Sequence, residues 1–379
     1  MRLAVLKERR EAETRVAATP ETVKKYLALG LTVAVEAGAG LTAAISDADY
    51  KSAGAEIAPD AAAALNGAGV VLSVQPDDAM RAEIPRGALL VCIANAHSEP
   101  ASVASLAAQG VDLAAMELLP RITRAQSMDV LSSQANLAGY RSVIEGASAF
   151  ERGFPMMMTA AGTVPPARVF VIGAGVAGLQ AIATARRLGA IVSATDVRPA
   201  AKEEIRSLGA TFVGVEDAET AGQTGAYAKE MTDAFRQKQA EMMATTVAKN
   251  DLVICTALVM RRKAPVIVTH AMVAAMRAGS VVVDLASDAG GNCADTEPGK
   301  AITTENGVRV LGYNNWPGRI AVASSQLYSK NLLTFLTTFW DKTANAPALP
   351  ETDEIVRGVL LTRGGSVISP QFQQAQPAT

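Results

Sequence analysis

Cysteine and histidine are scarce in this chain of 379 residues. The three cysteines, Cys92, Cys255 and Cys293, lie far apart and show no paired spacing. This pattern is typical of a reducing compartment, and it argues against a disulfide framework or a zinc site. His97 and His270 are the only two imidazoles. We therefore predict no metal site and interpret both histidines as ordinary structural or surface residues.

Long apolar runs and an excess of charge of either sign are also missing. The longest apolar stretch, residues 169–185, is interrupted by three glycines and Gln180, whereas a membrane-spanning helix needs about 18 or more apolar residues. The N-terminal residues 2–6 resemble a β-strand and carry no cleavable signal pattern. The net charge of −2 gives no electrostatic footprint for nucleic acid or anionic lipid. We expect a soluble protein with no direct membrane insertion and no nucleic-acid partner.

The chain does contain a glycine motif between a strand and a helix. The apolar residues 169–172 lead into Gly173, Gly175 and Gly178, spaced Gly-x-Gly-x-x-Gly, and an alanine-rich helix follows. The first glycine permits a tight turn, the second lets a pyrophosphate approach the backbone, and the third lets the helix pack against the strand. Free N–H groups at the helix start favour phosphate. The pattern predicts a dinucleotide site, and a tight turn without a ligand is the alternative.

An acidic residue follows the motif at the distance expected for such a site. A second predicted strand ends at Asp196, roughly 20 residues beyond the glycines. A carboxylate there accepts hydrogen bonds from the adenosine ribose and repels a 2′-phosphate, whereas the nearby Arg198 could bind that phosphate. Because the acid stands at the strand tip, we predict NAD(H) as the cofactor and not NADP(H).

Strands and helices alternate in two series, which indicates two doubly wound, Rossmann-like α/β domains with parallel sheets separated by a cleft. A helix is predicted over residues 138–154, and a proline- and glycine-rich connector over residues 155–166. The last predicted helix, residues 329–340, is expected to cross back and complete the first domain. The predicted domains are therefore residues 1–137 plus 325–379, and residues 138–324, which bind the dinucleotide.

Residues 216–231 contain many small side chains, little periodicity and a single aromatic residue, Tyr227. Two interpretations stay open for this segment. It is either a solvated surface loop or a mobile lid whose Tyr227 closes over bound nucleotide.

Polar side chains are dense in residues 120–134, directly after a predicted strand. The leading candidates for chemistry are Arg121, Gln126, Asp129 and Ser132. A helix start with capping residues explains such a segment without any ligand. The functional interpretation is that these groups orient a nicotinamide, whose carboxamide needs both a donor and an acceptor. An ion pair of Arg121 with Asp129 would have to be well hydrogen-bonded if buried.

Four segments together make a family resemblance specific: residues 121–134, residues 154–168 (FPMMMTAAGTVPPAR), the glycine motif, and residues 225–231 (GAYAKEM). The chain resembles the proton-translocating NAD(P) transhydrogenase over nearly its whole length. The match is to the NAD(H)-binding component in the form of a separate α1 subunit. The resemblance implies Re/Si-specific hydride transfer between NAD(H) here and NADP(H) on a partner subunit, coupled to proton translocation by membrane-spanning subunits. It also implies a homodimer at the cytoplasmic face of the inner membrane, held there through its partners.

The resemblance also implies roles for particular residues. The four polar candidates of residues 121–132 match the loop that holds the dihydronicotinamide, and Gln126 matches the glutamine that reaches toward the partner's NADP(H). The residues implied to bind the cofactor are Gly173, Gly175, Val176, Ala177, Gly178, Asp196, Val197, Arg198, Ala226, Tyr227, Met231 and Leu258. Lys7 and Arg15 fit the wider family pattern without a definite role.

Alanine dehydrogenase belongs to the same superfamily and is the main alternative. The resemblance to it lies in residues 7–15 and 279–291, and Asp288 matches its acidic residue. That enzyme uses a lysine and a histidine to bind and deprotonate its substrate. The corresponding positions here are Gln75 and Asn95, neither of which is a general acid or base at neutral pH, although His97 is nearby.

Direct hydride transfer between two nicotinamides needs no proton acceptor at the reacting carbon, so the missing base favours the transhydrogenase. A third interpretation is a non-catalytic NAD-binding module, which shares the glycine motif but has no need of the polar residues 121–132.

Overall fold

The computed structural model describes residues 1–214, 233–258 and 263–373, and the chain forms two compact units. Unit 1 comprises Met1–Gln134 and Pro317–Thr379, and unit 2 comprises Ala135–Trp316. The predicted boundaries, after residues 137 and 324, lie further along the chain in both cases. The two-domain α/β class is confirmed by the sheets described below.

The elements are numbered in chain order. The strands are β1 (Arg2–Val5), β2 (Thr32–Glu36), β3 (Glu56–Ala58), β4 (Ala68–Leu72), β5 (Leu89–Cys92), β6 (Asp112–Ala115), β7 (Met157–Thr159), β8 (Gly162–Val164), β9 (Arg168–Ile172), β10 (Ile191–Thr195), β11 (Thr211–Phe212), β12 (Leu252–Cys255), β13 (Val281–Asp284), β14 (Lys300–Thr303), β15 (Arg309–Gly312), β16 (Trp340–Asp341), β17 (Ala346–Pro347), β18 (Leu360–Arg363) and β19 (Ser366–Val367). The α-helices are α1 (Pro20–Ala28), α2 (Asp47–Ser52), α3 (Ala61–Leu65), α4 (Asp78–Glu83), α5 (Pro100–Gln109), α6 (Val130–Ala149), α7 (Val176–Arg187), α8 (Ala201–Ser207), α9 (Asp233–Lys249), α10 (His270–Ala274), α11 (Ala321–Thr338) and α12 (Glu354–Val359).

Unit 1 contains an eight-stranded sheet with the order β19-β18-β6-β5-β4-β1-β2-β3. Strands β1 to β6 pair in parallel, and β18 and β19 add antiparallel strands at one edge. The central strands are almost entirely buried and apolar, as expected for a sheet covered on both faces. The strand order reverses between β1 and β4, which makes this the topological switch point of the unit.

Unit 2 contains a seven-stranded sheet with the order β11-β10-β9-β12-β13-β15-β14. Its strands pair in parallel except for β14, which is antiparallel to β15 at one edge. The switch point lies between β9 and β12. The predicted parallel sheets are therefore present in both units, with antiparallel strands at one edge of each.

Three segments differ from the sequence-based expectation. Helix α6 begins at Val130 and not at residue 138, and α11 begins at Ala321 and not at residue 329. The polar residues that hide both helix starts are bonded to each other inside unit 1: Gln134 Nε2 donates to the carbonyl of Ser324 at 3.2 Å. The predicted connector at residues 155–166 contains an antiparallel hairpin of β7 and β8.

The helices of residues 1–214, 233–258 and 263–373 are too short or too polar to cross a bilayer. The 18-residue α11, for example, buries Ser324, Ser325 and Ser329 together with its apolar side chains.

Candidate functional site

The glycine turn of unit 2 joins β9 to α7 at the switch point. Gly173 has a φ of +94°, and a Cβ at this position would lie 2.7 Å from Thr256 Oγ1. A Cβ on Gly178 would lie 1.9 Å from the carbonyl oxygen of Gly173. Both positions therefore require glycine for the backbone to close the turn and for the helix to approach the strand.

Gly175 differs from these two glycines because its conformation suits any residue. It is the N-cap of α7, with φ −70° and ψ −171°, and a Cβ here would find no described atom within 4 Å. The space beside it lies directly over the start of α7, where Val176 is 44% exposed. The first N–H groups of a helix have no partner within the helix. The turn therefore offers uncapped donors and the positive end of a helix dipole to an anion.

Asp196 lies just beyond the end of β10 and is hydrogen-bonded to the glycine turn. Its Oδ2 accepts from the Ala174 N–H at 2.7 Å, and its Oδ1 accepts from the N–H and Nε of Arg198 at 2.8 and 3.1 Å. Burial raises the pKa of Asp196, but the bonds from Ala174 and Arg198 outweigh that effect and hold the pKa below its ordinary value. The site therefore contains an ionised carboxylate next to an anion-binding turn.

Two apolar side chains lie at strand ends on either side of this turn. Val197 follows β10 and is 82% exposed, and Leu258 follows β12 and is 60% exposed. Since β10 and β12 are the two neighbours of β9, both side chains stand at the carboxyl edge near the glycines. Exposed apolar side chains in this position can cover the faces of a heterocyclic base.

Thr256 and Asn292 support the turn, and sequence reasoning missed both. Thr256 Oγ1 donates to the carbonyl oxygens of Ile172 and Gly173, at 3.1 and 3.0 Å. The fully buried Asn292 uses its whole amide: Oδ1 accepts from the Ala257 N–H at 3.0 Å, and Nδ2 donates to the carbonyls of Ala257 and Pro265 at 2.9 and 2.8 Å. The one local signal was the Gly290-Gly291-Asn292 sequence after a buried strand.

Ala226, Tyr227 and Met231, together with the rest of residues 216–231, lie outside the described residues. The choice between a lid and a solvated loop stays a prediction.

The polar segment of residues 121–132 belongs to unit 1. A 3-10 helix, Thr123–Met128, precedes α6, and the side chain of Asp129 accepts from the Ser132 N–H at 2.9 Å and from the Ser132 hydroxyl. Asp129 and Ser132 thus form a helix cap, as the interpretation without a ligand expects. Arg121 and Gln126 are exposed. The nicotinamide role of all four residues stays a prediction.

The residues shared with the alanine dehydrogenase pattern have internal partners. Arg15 is buried, bonded to both carboxylate oxygens of Glu13 at 2.8 and 2.6 Å and to Gln134 Oε1 at 2.9 Å. Asp288 accepts from the Asn315 N–H at 3.0 Å, and burial raises the pKa of its carboxyl group. Within the described chain, no group of three or more His, Cys, Asp or Glu residues is placed to hold a metal ion.

The open glycine turn, its doubly wound sheet and the ionised acid define an α/β protein of the dinucleotide-binding class. Family models named "Alanine dehydrogenase/PNT, N-terminal domain" and "C-terminal domain" match residues 4–138 and 142–370. The chain belongs to this alanine dehydrogenase/PNT family, and within it to the relatives of transhydrogenase α subunits.

Three individual relatives place it more narrowly. The chain is 52% identical to the first portion of the NAD(P) transhydrogenase subunit alpha of Rhodospirillum rubrum, a separate polypeptide, with 98% of each chain covered. The crystal structure of a transhydrogenase from Sinorhizobium meliloti superimposes with a TM-score of 0.88 at 50% identity, covering 97% of this chain and 100% of that one. An L-alanine dehydrogenase structure gives a TM-score of 0.79 at 26% identity, covering 99% and 98%.

Proposed function

We propose that this chain is the NAD(H)-binding component of a proton-translocating transhydrogenase. It would exchange a hydride between its own NAD(H) and NADP(H) held by a partner subunit, while membrane-spanning subunits couple the exchange to proton movement. The observation that carries the proposal is the open helix start at Gly175 next to the ionised Asp196. The similarity to transhydrogenase α subunits over the full length supports it.

The choice of NAD(H) over NADP(H) follows from the contacts of Arg198. Its guanidinium donates to Asp196 at 3.1 Å and to the Ala174 carbonyl at 2.9 Å. A guanidinium held in this way is turned toward the protein and away from a 2′-phosphate. The carboxylate of Asp196 is then the group that the adenosine ribose meets, and it favours hydroxyls over phosphate.

The proposed chemistry needs alignment and no general base. Arg121, Gln126, Asp129 and Ser132 are proposed to hold the dihydronicotinamide so that the two rings meet at about 3–3.5 Å. The bond between Asp129 and Ser132 fixes these two side chains before any ligand binds. Ala226, Tyr227 and Met231 are proposed to cover the nucleotide.

The proposed partners are an NADP(H)-binding subunit, membrane-spanning subunits and a second copy of this chain. The β7–β8 hairpin supports the homodimer because it exposes Met156, Met157 and Met158, the last by 82%, and clustered exposed apolar side chains are typical of interfaces. The proposed location is the cytoplasmic face of the inner membrane, through these partners.

The test is to mix the purified chain with a transhydrogenase NADP(H)-binding component and to follow hydride transfer between NADH and an NADP analogue. We expect transfer only when both proteins are present. If NADH binds but no transfer occurs with an active partner component, the chain is a non-catalytic NAD-binding module.

Alanine dehydrogenase is the second candidate, and one observation favours it. The raised pKa of Asp288 is what a proton-transferring acid would require. Against it, Gln75 and Asn95 stand where that enzyme has its lysine and histidine. Production of NADH from NAD and alanine by this chain alone would overturn the transhydrogenase proposal.

A further inference from the structure

Helix α6 crosses the first turn of α7 at backbone contact distance. A Cβ at Gly139 of α6 would lie 2.1 Å from the carbonyl oxygen of Ala177 and 2.8 Å from its carbonyl carbon. Contacts under 3.0 Å are not found for real Cβ atoms. Since every atom in conflict belongs to the backbone of α7, no side-chain rotation can make room.

The contact falls on the glycine motif itself. Ala177 stands between Gly175 and Gly178, within the turn whose N–H groups are free for an anion. One turn further along α7, Gln180 Oε1 accepts from Asn136 Nδ2 of α6 at 3.3 Å. Helix α6 therefore holds the start of α7 from outside the motif, and all of these residues belong to unit 2.

We propose that Gly139 is a positioning residue of the dinucleotide site, a fourth glycine that sets where the phosphate-binding helix start lies. This inference rests on the proposed function. A larger residue at position 139 must displace the first turn of α7, and donors that bind a ligand are effective only within about 0.5 Å of their productive position. The effect should fall on the pyrophosphate, which the helix start contacts, and not on the nicotinamide.

Gly146 offers a matched control on the same helix. A Cβ there would also be crowded, at 2.8 and 3.0 Å from the methyl groups of Leu252 and 3.1 Å from a methyl group of Val283. These are side-chain atoms in the sheet core, and they are not part of the turn. Gly139→Ala and Gly146→Ala thus introduce the same methyl group into the same helix against different neighbours.

The experiment measures the thermal midpoint and the Kd of NADH and of ADP-ribose for the full chain and both variants. ADP-ribose carries the pyrophosphate without the nicotinamide. We expect both variants to lower the midpoint, Gly139→Ala to weaken both ligands by the same factor of ten or more, and Gly146→Ala to change neither by more than twofold. Equal affinities in Gly139→Ala and Gly146→Ala, or a loss confined to NADH, would overturn the inference. Absence of NADH binding by the unmodified chain would instead overturn the proposed function.

Hydrogen exchange of the unmodified chain provides a second test if Gly139→Ala does not fold. If the start of α7 is fixed against α6, ADP-ribose should slow exchange in residues 136–143 more than in residues 144–149. Equal change in the two parts of α6 contradicts a positioning role.

Discussion

Unit 1 and unit 2 arrange their first five strands in the same order around the switch point, yet the segments that leave the central strand differ. In unit 2, residues 173–175 are enough to pass from β9 to α7, and Gly175 leaves the helix start uncapped. In unit 1, residues 6–19 separate β1 from α1. There Thr22, in the first turn of α1, accepts from the Thr19 N–H at 2.9 Å.

Unit 1 also carries its own anion at the switch point. The buried carboxylate of Glu8 accepts from the N–H groups of Val74 and Gln75, at 2.7 and 3.0 Å, and from the Ser73 hydroxyl at 2.8 Å. These donors follow β4, where a parallel sheet ordinarily meets its ligand. The same topology thus gives a closed edge in one unit and an open one in the other, so the βα turn, and not the strand order, makes a dinucleotide site.

The largest expected effect comes from closing the open turn. Gly175→Ala adds a methyl group where the described structure has free space and an ordinary φ, so the fold should be unchanged. The methyl group occupies the approach of the pyrophosphate, and we expect NADH affinity to fall roughly a thousandfold, about 4 kcal/mol. Calorimetric titration and thermal unfolding measure the two quantities. A variant that binds NADH normally would show that the pyrophosphate does not use this turn.

The internal anion of unit 1 should make stability depend on pH. Burial raises the pKa of Glu8 to about 7, against an ordinary value of 4.5. The folded state therefore keeps a proton that the unfolded state releases as pH rises from 4.5 to 7, and stability falls by about 1.4 kcal/mol per pH unit in that window. Relative to Glu8→Gln, the free energy of unfolding should drop by about 3 kcal/mol between pH 4.5 and 8. A difference that does not vary with pH would mean that Glu8 has the same pKa in both states.

The polar segment of unit 1 should affect chemistry more than binding. Gln126 is exposed and is proposed to organise the meeting of the two nicotinamides. Gln126→Asn keeps the amide but shortens its reach, so single-turnover hydride transfer with the NADP(H)-binding component should fall roughly a hundredfold, about 2.7 kcal/mol, with NADH affinity unchanged. Equal losses of rate and affinity would make Gln126 an ordinary NADH ligand.

How far the sequence predicts the structure differs between local and long-range features. The strands β2, β10 and β13 and the glycine turn follow from short apolar runs and glycine spacing, which are local signals. The starts of α6 and α11 do not, because their buried serines, Gln134 and Asn331 find polar partners in unit 1 and break the apolar periodicity.

The support of the turn could not be predicted either. Gly139 meets Ala177, and Asn292 meets Ala257, across 38 and 35 residues of chain. No periodicity marks such contacts, since each depends on how two elements cross in the folded chain. The Asp129 cap was visible in the sequence as an alternative, because capping chemistry is local.

The acid of unit 2 should set both affinity and cofactor choice. Asp196→Ala removes a charge-assisted acceptor, which costs roughly 1.5–3 kcal/mol. NADH affinity should therefore fall by about one to two powers of ten, and discrimination against NADPH should relax. Equilibrium titration with both nucleotides tests this, with Thr22→Val in unit 1 as a control that leaves both affinities unchanged. If Asp196→Ala keeps its NADH affinity, the adenosine ribose is held elsewhere.

The smallest expected effect is the counterpart of Gly175→Ala at the matching helix start of unit 1. Thr22 is fully buried, and its hydroxyl both accepts from the Thr19 N–H and donates to the Thr19 carbonyl at 3.0 Å. Thr22→Val keeps the shape but leaves the buried N–H without its acceptor, which costs about 1 kcal/mol of stability. Thermal or urea unfolding should show this loss, and NADH titration should show none. Gly175→Ala should give the reverse result, because that helix start is left open for a ligand, whereas α1 is closed by its own threonines. A loss of NADH affinity in Thr22→Val would mean that the helix start of unit 1 also takes part in binding, and the contrast between the two units would fail.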